Sequence, residues 1–202
     1  MYHINSFHYR ICSTRKFIDK RILPTDNFKT RWVKELPIKI NILMWRVAKD
    51  RLHVRSNLAL RGIDIQDTSC PICSVGVESS NHIFFVCNLA LEIWRKLRIW
   101  MDINIHIFTN QNDWICWFDS WARPNTSKVR IYSIVAAHFW VIWRYRNGVV
   151  FQDEVLKKGD LFDQIRSISY VWFDQIRSIS YVWLFYRCKD KLNWNNWLLK
   201  PL

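Results

Sequence analysis

Three cysteines and one histidine lie close together in the middle of the chain, and their side chains are of the kinds that bind zinc. They are Cys70, Cys73, His82 and Cys87. Their spacing, C-x2-C-x8-H-x4-C, supplies three thiolates and one imidazole, which suits a closed tetrahedral site. Pro71 favours the bend of the CxxC pair, and Gly76 gives the following loop conformational freedom. Because no Asp or Glu ligand stands at metal spacing beside them, we predict one structural Zn2+ ion and no catalytic metal.

The last two ligands, His82 and Cys87, constrain the local backbone. Five residues on an ideal α-helix turn through about 140° around the axis. One uninterrupted helix therefore could not point both side chains at one ion. We expect His82 in or just before the first turn of a helix, and a local break at Cys87.

A second interpretation of these residues is that they are ordinary core residues. Free cysteines are often buried as small apolar side chains, and a histidine within an apolar run is usually buried too. We favour that interpretation for Cys12, Cys116 and Cys188, which have no partners nearby in sequence. For the quartet, the regular ligand spacing favours zinc.

The composition indicates a mainly α fold. Half of the 202 residues are hydrophobic, which is ample for a core, and the chain has 13 tryptophans but only 4 glycines. So few glycines argue against an all-β sandwich with many tight turns. The phosphate-binding patterns GxxxxGK[ST] and GxGxxG are both missing from the sequence.

Positive charge is concentrated before the predicted zinc site. Residues 1–62 contain 14 Lys and Arg against 4 Asp and Glu, a net charge of +10, whereas the remainder has a net charge of +3. Such an excess favours binding to a polyanion through counterion release. A surface that only maintains solubility is the alternative.

The sequence predicts an intracellular protein without membrane segments. The N-terminus lacks the apolar stretch of a signal peptide, and six cysteines without such a start indicate a reducing compartment. The longest strongly apolar run, residues 131–143, is shorter than the roughly 20 residues that cross a bilayer.

Apolar spacing predicts helices on both sides of the zinc site. In the helix over 37–50, we expect an apolar face that contains Ile38, Ile42, Trp45, Val47 and Ala48. A helix over 54–61 should end at Gly62. After Cys87, an amphipathic helix should bury four residues at i, i+4, i+8 and i+11, which are Leu89, Ile93, Leu97 and Trp100.

Further helices are predicted in the second half. Trp114, Trp117 and Trp121 form a stripe that is more typical of a core than of a base-stacking platform. A long helix should run from Thr126 or Ser127 to about Asn147, bury Val135, Phe139, Ile142 and Trp143, and carry Arg144 and Arg146 in its last turn. The segment FDQIRSISYVW occurs twice, at 162–172 and 173–183. Eleven residues make three turns plus about 20°, so both copies can share one unbroken helix.

Several segments together resemble the zinc-binding domain that follows the polymerase in plant non-LTR (LINE-type) retrotransposon reverse transcriptases. These are the stretch RWVKELPIKINILMWRVAKDRLHVRSNLALRGIDI, then CPIC, HIFFVC and the IW of the next helix. The positions that match the family pattern are Trp32, Pro37, Trp45, Arg46, Leu52, Arg55, Asn57, Leu58, Arg61, Gly62, Glu78, His82 and Trp94. His53, where the family usually has proline, and the 11-residue duplication depart from that pattern.

The resemblance implies three regions. They are a basic N-terminal extension at 1–30, a reverse-transcriptase-type zinc-binding domain at 31–102, and a Trp-rich helical region at 103–202. The fold expected is therefore a small zinc-stapled helical domain followed by long amphipathic helices. The parent polyprotein is an RNA-directed DNA polymerase, but this chain has no YxDD-like carboxylate hairpin, so it is expected to be a C-terminal fragment that is not itself an enzyme.

The function expected from the resemblance and the charge is non-specific binding of RNA or DNA backbones beside that polymerase, which would be in cis or in trans. The family suggests a nuclear location. Candidate phosphate contacts, chosen for charge and proximity to the zinc site, are Lys39, Arg46, Lys49, Arg51, Arg55 and Arg61. The alternative is a structural or protein-interaction module in which zinc replaces core and nucleic acid has no role.

Overall fold

The structure is mainly helical. The computed structural model describes residues 31–151, 157–184 and 198–199, and in its last long helix the side chains are described as far as Trp172. The α-helices are α1 (Ile38–Ala48), α2 (Arg55–Leu60), α3 (Asn88–Met101), α4 (Gln111–Ser120), α5 (Asn125–Phe151) and α6 (Leu161–Leu184). A π-helical turn covers His82–Val86, and a 3-10 turn covers Lys158–Asp160. Within these ranges no strand forms, so the predicted mainly α class is confirmed. The 1–30 extension, Cys12 and Cys188 lie outside the described residues.

Helix α5 occupies the centre of the fold. Every residue from Ile131 to Phe139 is buried, so this stretch is covered on all sides rather than along one stripe. Its neighbours are α6, α1 and the π-turn. The predicted long helix is confirmed; it begins at Asn125, next to the predicted start, and continues to Phe151, beyond the predicted end at Asn147. Val135, Phe139 and Ile142 are buried as expected, and Trp143 is half-buried.

The buried face of α1 differs from the predicted one. The residues that pack into the core are Ile40, Leu43, Met44 and Val47, at i, i+3, i+4 and i+7. Ile38 is 69% exposed and Ile42 is 37% exposed, so the prediction was wrong for both. Asn41 explains the error, because it lies on the buried face and bonds the preceding loop: its Oδ1 accepts from Val33 N at 3.0 Å, and its Nδ2 donates to Val33 O at 2.9 Å. A polar residue inside the apolar stripe obscured the pattern.

Helix α2 ends as the sequence predicts. Gly62 has φ +81°, and its N–H donates to Ala59 O at 2.9 Å, while Ile63 N donates to Leu58 O at 3.2 Å. This pair of hydrogen bonds is the Schellman arrangement, in which a left-handed residue satisfies carbonyl groups at the helix end. Glycine adopts that conformation without a Cβ clash.

Helices α3 and α4 each contribute two buried aromatic residues, Trp94 and Trp100 from α3 and Trp114 and Phe118 from α4. The four apolar residues expected on one face of α3 are all buried. Trp114 on α4 is buried and packs against Trp94, whereas Trp117 is half-buried and stacks on Trp121 with ring centroids 5.6 Å apart. The stripe therefore packs with the core. Cys116 is exposed on α4, which contradicts its predicted burial, because it points away from the side of the helix that carries Trp114 and Phe118.

Helix α6 continues through both copies of the 11-residue repeat without a break, as predicted. In the first copy, Ile165 and Trp172 are buried, and Phe162 and Ile168 pack against the same core. The division of the chain into three regions, with boundaries at 30/31 and 102/103, stays a prediction. None of the helices in the described ranges is long and apolar enough to cross a membrane.

Candidate metal centre

The first two ligands lie in a tight turn closed by a short backbone pairing. Ser74 N donates to Cys70 O at 2.8 Å, and Cys70 N donates to Gly76 O at 2.6 Å. Ser69 and Val77 form an isolated antiparallel bridge at the base of the turn. Ser74 has φ +56°, a left-handed conformation that reverses the chain just after the second cysteine. The turn thus directs both sulfurs to the same side.

The last two ligands are brought together by the π-turn His82–Val86. Cys87 N donates to His82 O at 2.7 Å, which is the i to i+5 bond of a π-turn. Cys87 then leaves helical conformation, with φ −56° and ψ 139°, and α3 begins at the next residue. The predicted break at Cys87 is therefore confirmed. On an α-helix the two side chains would point about 140° apart around the axis. The wider π-turn reduces this angle, so two ligands five residues apart can bind one ion.

The four ligand atoms form a compact cluster. All lie within 4.8 Å of one another, and Cys73 Sγ is 3.3 Å from His82 Nε2. In a tetrahedral site with Zn–S of about 2.3 Å and Zn–N of about 2.0 Å, the S–N and S–S edges are roughly 3.5–3.8 Å. The 3.3 Å distance between Cys73 Sγ and His82 Nε2 is close to the expected S–N edge, and all other ligand pairs lie within 4.8 Å. The residues of this segment therefore fit one zinc ion, bound by three sulfurs and by Nε2 of His82.

The site has a buried side and an accessible side. Cys70 and Cys87 are buried, whereas Cys73 and His82 are half-buried. Hydrogen bonding from the Cys87 thiol lowers the pKa of Cys70 to about 5. The same contact, together with burial, raises the pKa of Cys87. One thiolate is thus already favoured in this pair, and a metal ion would take the place of the remaining protons.

Gly76 is required by close packing and not by an unusual φ. A Cβ at this position would lie 3.0 Å from Cε1 and 3.1 Å from Nδ1 of His82. The imidazole therefore lies directly against the backbone of residue 76. The backbone N–H of His82 is itself held by Ser79 Oγ at 3.0 Å. These contacts fix the orientation of the ring that presents Nε2 to the metal.

Glu78 joins the zinc segment to two helices. Its Oε2 accepts the backbone N–H of Arg55 at 2.8 Å, at the start of α2. Its carboxylate also accepts from Arg146 of α5, with Nε to Oε1 at 2.6 Å and Nη2 to Oε2 at 2.8 Å. Arg144 and Arg146 were predicted to charge the last turn of α5, which is wrong for both, because the helix continues to Phe151; Arg146 is also buried. From the sequence, Glu78 was identified only as a position that matches the family pattern, and its contacts with the two helices were not predicted.

The two phenylalanines of the π-turn anchor it to the core. Phe84 stacks on Phe139 of α5 with ring centroids 4.5 Å apart. Phe85 meets the same ring edge-on at 5.5 Å. Trp94 Nε1 donates to Phe84 O at 2.8 Å. The ligands His82 and Cys87 thus flank a segment whose side chains are held by α3 and α5.

The six candidate phosphate contacts are spread over α1, α2 and the loops that end them. Lys39, Arg46, Arg51 and Arg61 are exposed, and Lys49 is half-buried. The Arg55 side chain is engaged at the zinc segment instead, where Nη1 donates to Ser69 O at 2.8 Å and lies 3.2 Å from Asp67 Oδ2. The Arg55 side chain therefore helps to hold the zinc segment, whether or not it also contacts a phosphate.

Fold and site together define a helical protein organised around one Cys3His zinc centre. A family model described as zinc-binding in reverse transcriptase matches residues 8–94, a segment that contains all four ligands. No curated protein and no solved structure matches the chain. Over residues 8–94 the chain is thus similar to the zinc-binding domain of reverse transcriptases, which confirms over this segment the resemblance noted from the sequence. That family is a zinc-binding domain and not the catalytic domain of the polymerase.

Proposed function

We propose that this chain is a zinc-binding accessory domain of a plant non-LTR (LINE-type) retrotransposon reverse transcriptase, and that it binds RNA or DNA backbones beside the polymerase domain. The polymerase would be present in cis or in trans, the location would be nuclear, and the chain would have no catalytic centre of its own. The observation that carries this proposal is an excess of outward-facing cations on the helices that precede a reverse-transcriptase-type zinc site.

The charge of the described part of this region supports the proposal. Residues 31–62 contain 8 Lys and Arg and 2 Asp and Glu. Among the described residues, no carboxylate forms an ion pair with the four exposed candidates, Lys39, Arg46, Arg51 and Arg61. Unpaired surface cations keep their full charge for an external polyanion and release counterions when it binds.

The expected binding mode is contact with phosphates rather than with base edges. Lys and Arg at scattered surface positions neutralise phosphates without fixing a base sequence. Two of the cations also lie over indole rings: Lys39 Nζ is 5.0 Å from the centroid of Trp140, and Arg51 Cζ is 5.8 Å from that of Trp45. These contacts support the side chains on the surface while leaving their charge available.

One observation favours the alternative, a protein-interaction module. The outward side of α1 carries Ile38 and Ile42, both exposed, and the half-buried Trp45. Apolar residues grouped on a surface often mark a contact with another protein. In that case zinc would stabilise the fold, and the cations would contribute solubility.

Salt-dependent binding of a labelled oligonucleotide by the zinc-loaded chain separates the two functions. We compare the wild type with the triple variant Lys39→Gln, Arg46→Gln and Arg51→Gln. The matched control neutralises three exposed cations elsewhere, Arg123→Gln, Arg144→Gln and Lys157→Gln. If the first three contact phosphates, affinity should fall at least tenfold, and the slope of log K against log salt should decrease by about 2 to 3.

The control decides whether the face or the net charge matters. Equal losses in the two triple variants would show a general charge effect and no defined face. If the wild-type protein has its full zinc content but does not bind RNA or DNA at low salt, the proposed function is rejected and the protein-interaction module remains. A selective loss in the first triple variant supports the proposal.

A further inference from the structure

A groove lies between α3 and the segment that follows it. Residues 103–108 form neither helix nor strand and run back along α3, from Ile103, whose N–H donates to Arg98 O, to Phe108, which meets Trp94 edge-on. The groove encloses about 380 Å3. A volume of this size accommodates one or two side chains or a small ligand.

The floor and walls of the groove are apolar. Leu91 and Trp94 line it from α3, and Ile105 and Ile107 line it from the following segment. Ile107 is 68% exposed, although it is a large aliphatic residue. An exposed aliphatic residue beside a concave apolar surface would gain stability from contact with an apolar group.

The rim of the groove is positively charged. Arg95 and Arg98 are both exposed, and neither guanidinium group has a hydrogen bond or an ion pair with a described residue. The carboxylates nearby are already engaged: Glu92 pairs with Lys96 at 2.8 Å, and Asp113 pairs with His106 at 2.9 Å. Two guanidinium groups therefore remain available to an external anion.

The backbone beside the groove is also unpaired. The N–H and C=O groups of His106 and Ile107 have no hydrogen-bond partner among the described residues, and both residues are exposed. Water satisfies such groups in the free protein. A bound peptide main chain could replace that water with hydrogen bonds of the kind used in strand addition.

We propose that this groove binds a peptide segment of a partner protein, in which an apolar side chain is flanked by Asp or Glu residues. The apolar side chain would enter the cavity between Leu91 and Ile107. The neighbouring carboxylates would pair with Arg95 and Arg98, whose planar groups can bind a carboxylate through two hydrogen bonds. The peptide backbone would pair with residues 106 and 107.

The lining favours a peptide over a nucleic acid. Single-stranded nucleic acids are held by bases stacked on exposed aromatic faces. Trp94 is only 8% exposed here, and the His106 ring packs against Phe108 with centroids 4.7 Å apart. The accessible walls are aliphatic. The groove is built from α3 and residues 103–108, whereas the candidate phosphate contacts lie on α1, α2 and adjoining loops, so this proposal is independent of the proposed function.

The test is a selection from a random dodecapeptide display library on the full-length, zinc-loaded chain. The same library is selected on the variant Arg95→Glu with Arg98→Glu. We expect the wild-type chain to enrich peptides with an aliphatic or aromatic residue between acidic residues, and the variant to enrich them at least tenfold less. Equal zinc content and helical circular dichroism verify that both proteins are folded.

The most enriched peptide is then synthesised with a fluorophore, and its affinity is measured by anisotropy. Affinity should fall at least tenfold in the Arg95→Glu and Arg98→Glu variant and also decrease in Ile107→Ser. It should stay within twofold in the control Arg123→Glu with Arg144→Glu. The proposal is overturned if both selections yield the same peptides, if no apolar-acidic pattern is enriched, or if the groove variant instead loses binding to a single-stranded 12-mer.

Discussion

Arg146 of α5 donates two hydrogen bonds to Glu78 of the zinc segment, across 68 residues of sequence. The side chains are 5% and 0% exposed, so the ion pair is removed from water. Glu78 also accepts the first backbone N–H of α2. The carboxylate thus connects the loop that carries the metal ligands to a helix beyond the family match, which ends at residue 94.

Breaking this pair should destabilise the protein strongly. Arg146→Met leaves the Glu78 carboxylate buried without its cation, and loss of one partner of a buried pair typically costs about 3–5 kcal/mol. The free energy of unfolding of the zinc-loaded chain, measured in urea, checks this. In the double variant, Glu78→Gln with Arg146→Met, the loss in free energy of unfolding should be smaller than the sum of the losses in the two single variants. Lys96→Gln, which breaks the exposed pair with Glu92, should cost no more than about 0.5 kcal/mol; a similar cost for Arg146→Met would contradict the prediction.

Removal of zinc ligands should abolish both metal binding and the fold. In the variant Cys73→Ala with His82→Ala, we expect zinc content to fall from one ion per chain to nearly none, accompanied by loss of helical circular dichroism. Elemental mass spectrometry and chelator titration measure the two effects. The exposed Cys116 provides the control, since Cys116→Ser should retain one zinc. A wild-type chain that keeps its fold in excess chelator would refute the structural role of the metal.

A methyl group at position 76 should weaken zinc binding. Gly76→Ala would place a Cβ 3.0 Å from Cε1 of His82, so the imidazole or the loop must shift. Disturbing a group that orients a ligand typically lowers metal affinity about 10- to 100-fold. Competition with a chromophoric chelator gives the affinity. Gly159→Ala is the matched control because a Cβ there meets nothing within 4 Å; equal affinities in the two variants would show that the packing against His82 is unimportant.

His138 should make the protein less stable at acid pH. Burial lowers the pKa of His138 to about 3. The carbonyl group of Phe84 acts in the opposite direction and raises this pKa, but it already accepts a hydrogen bond from Trp94 Nε1. Its pKa in the unfolded chain is about 6.5. The unfolded state therefore binds the extra proton between pH 6.5 and 3. The contribution of this residue is complete above pH 6.5 and declines by about 1.4 kcal/mol per pH unit below it.

The variant His138→Leu isolates this effect from protonation of the zinc ligands, which both proteins share. Urea unfolding at several pH values between 7 and 4.5 should show that the wild type loses stability faster than the variant. Parallel curves would mean that His138 is protonated in the folded state or exposed to solvent, contrary to its complete burial.

The sequence was most informative where one local rule decides the structure. The ligand spacing predicted the metal, five residues between His82 and Cys87 predicted the break, and Gly62 predicted the end of α2. It was misleading for α1, which has apolar residues on two sides, so that periodicity alone could not choose the buried one. The predicted burial of Cys116 was wrong for a related reason, because a short apolar side chain is tolerated on either face of α4.

By itself, therefore, the sequence determined the helical class, the Cys3His cluster and the similarity of the zinc segment to a zinc-binding family, because spacing and periodicity act over a few residues. Only the tertiary structure decided that Glu78 and Arg146 form a buried pair, that Gly76 lies against the His82 ring, and that a cationic groove lies beside α3. Those features depend on which surfaces meet across long stretches of chain. No local pattern encodes such a meeting, since it results from packing of the whole core around α5.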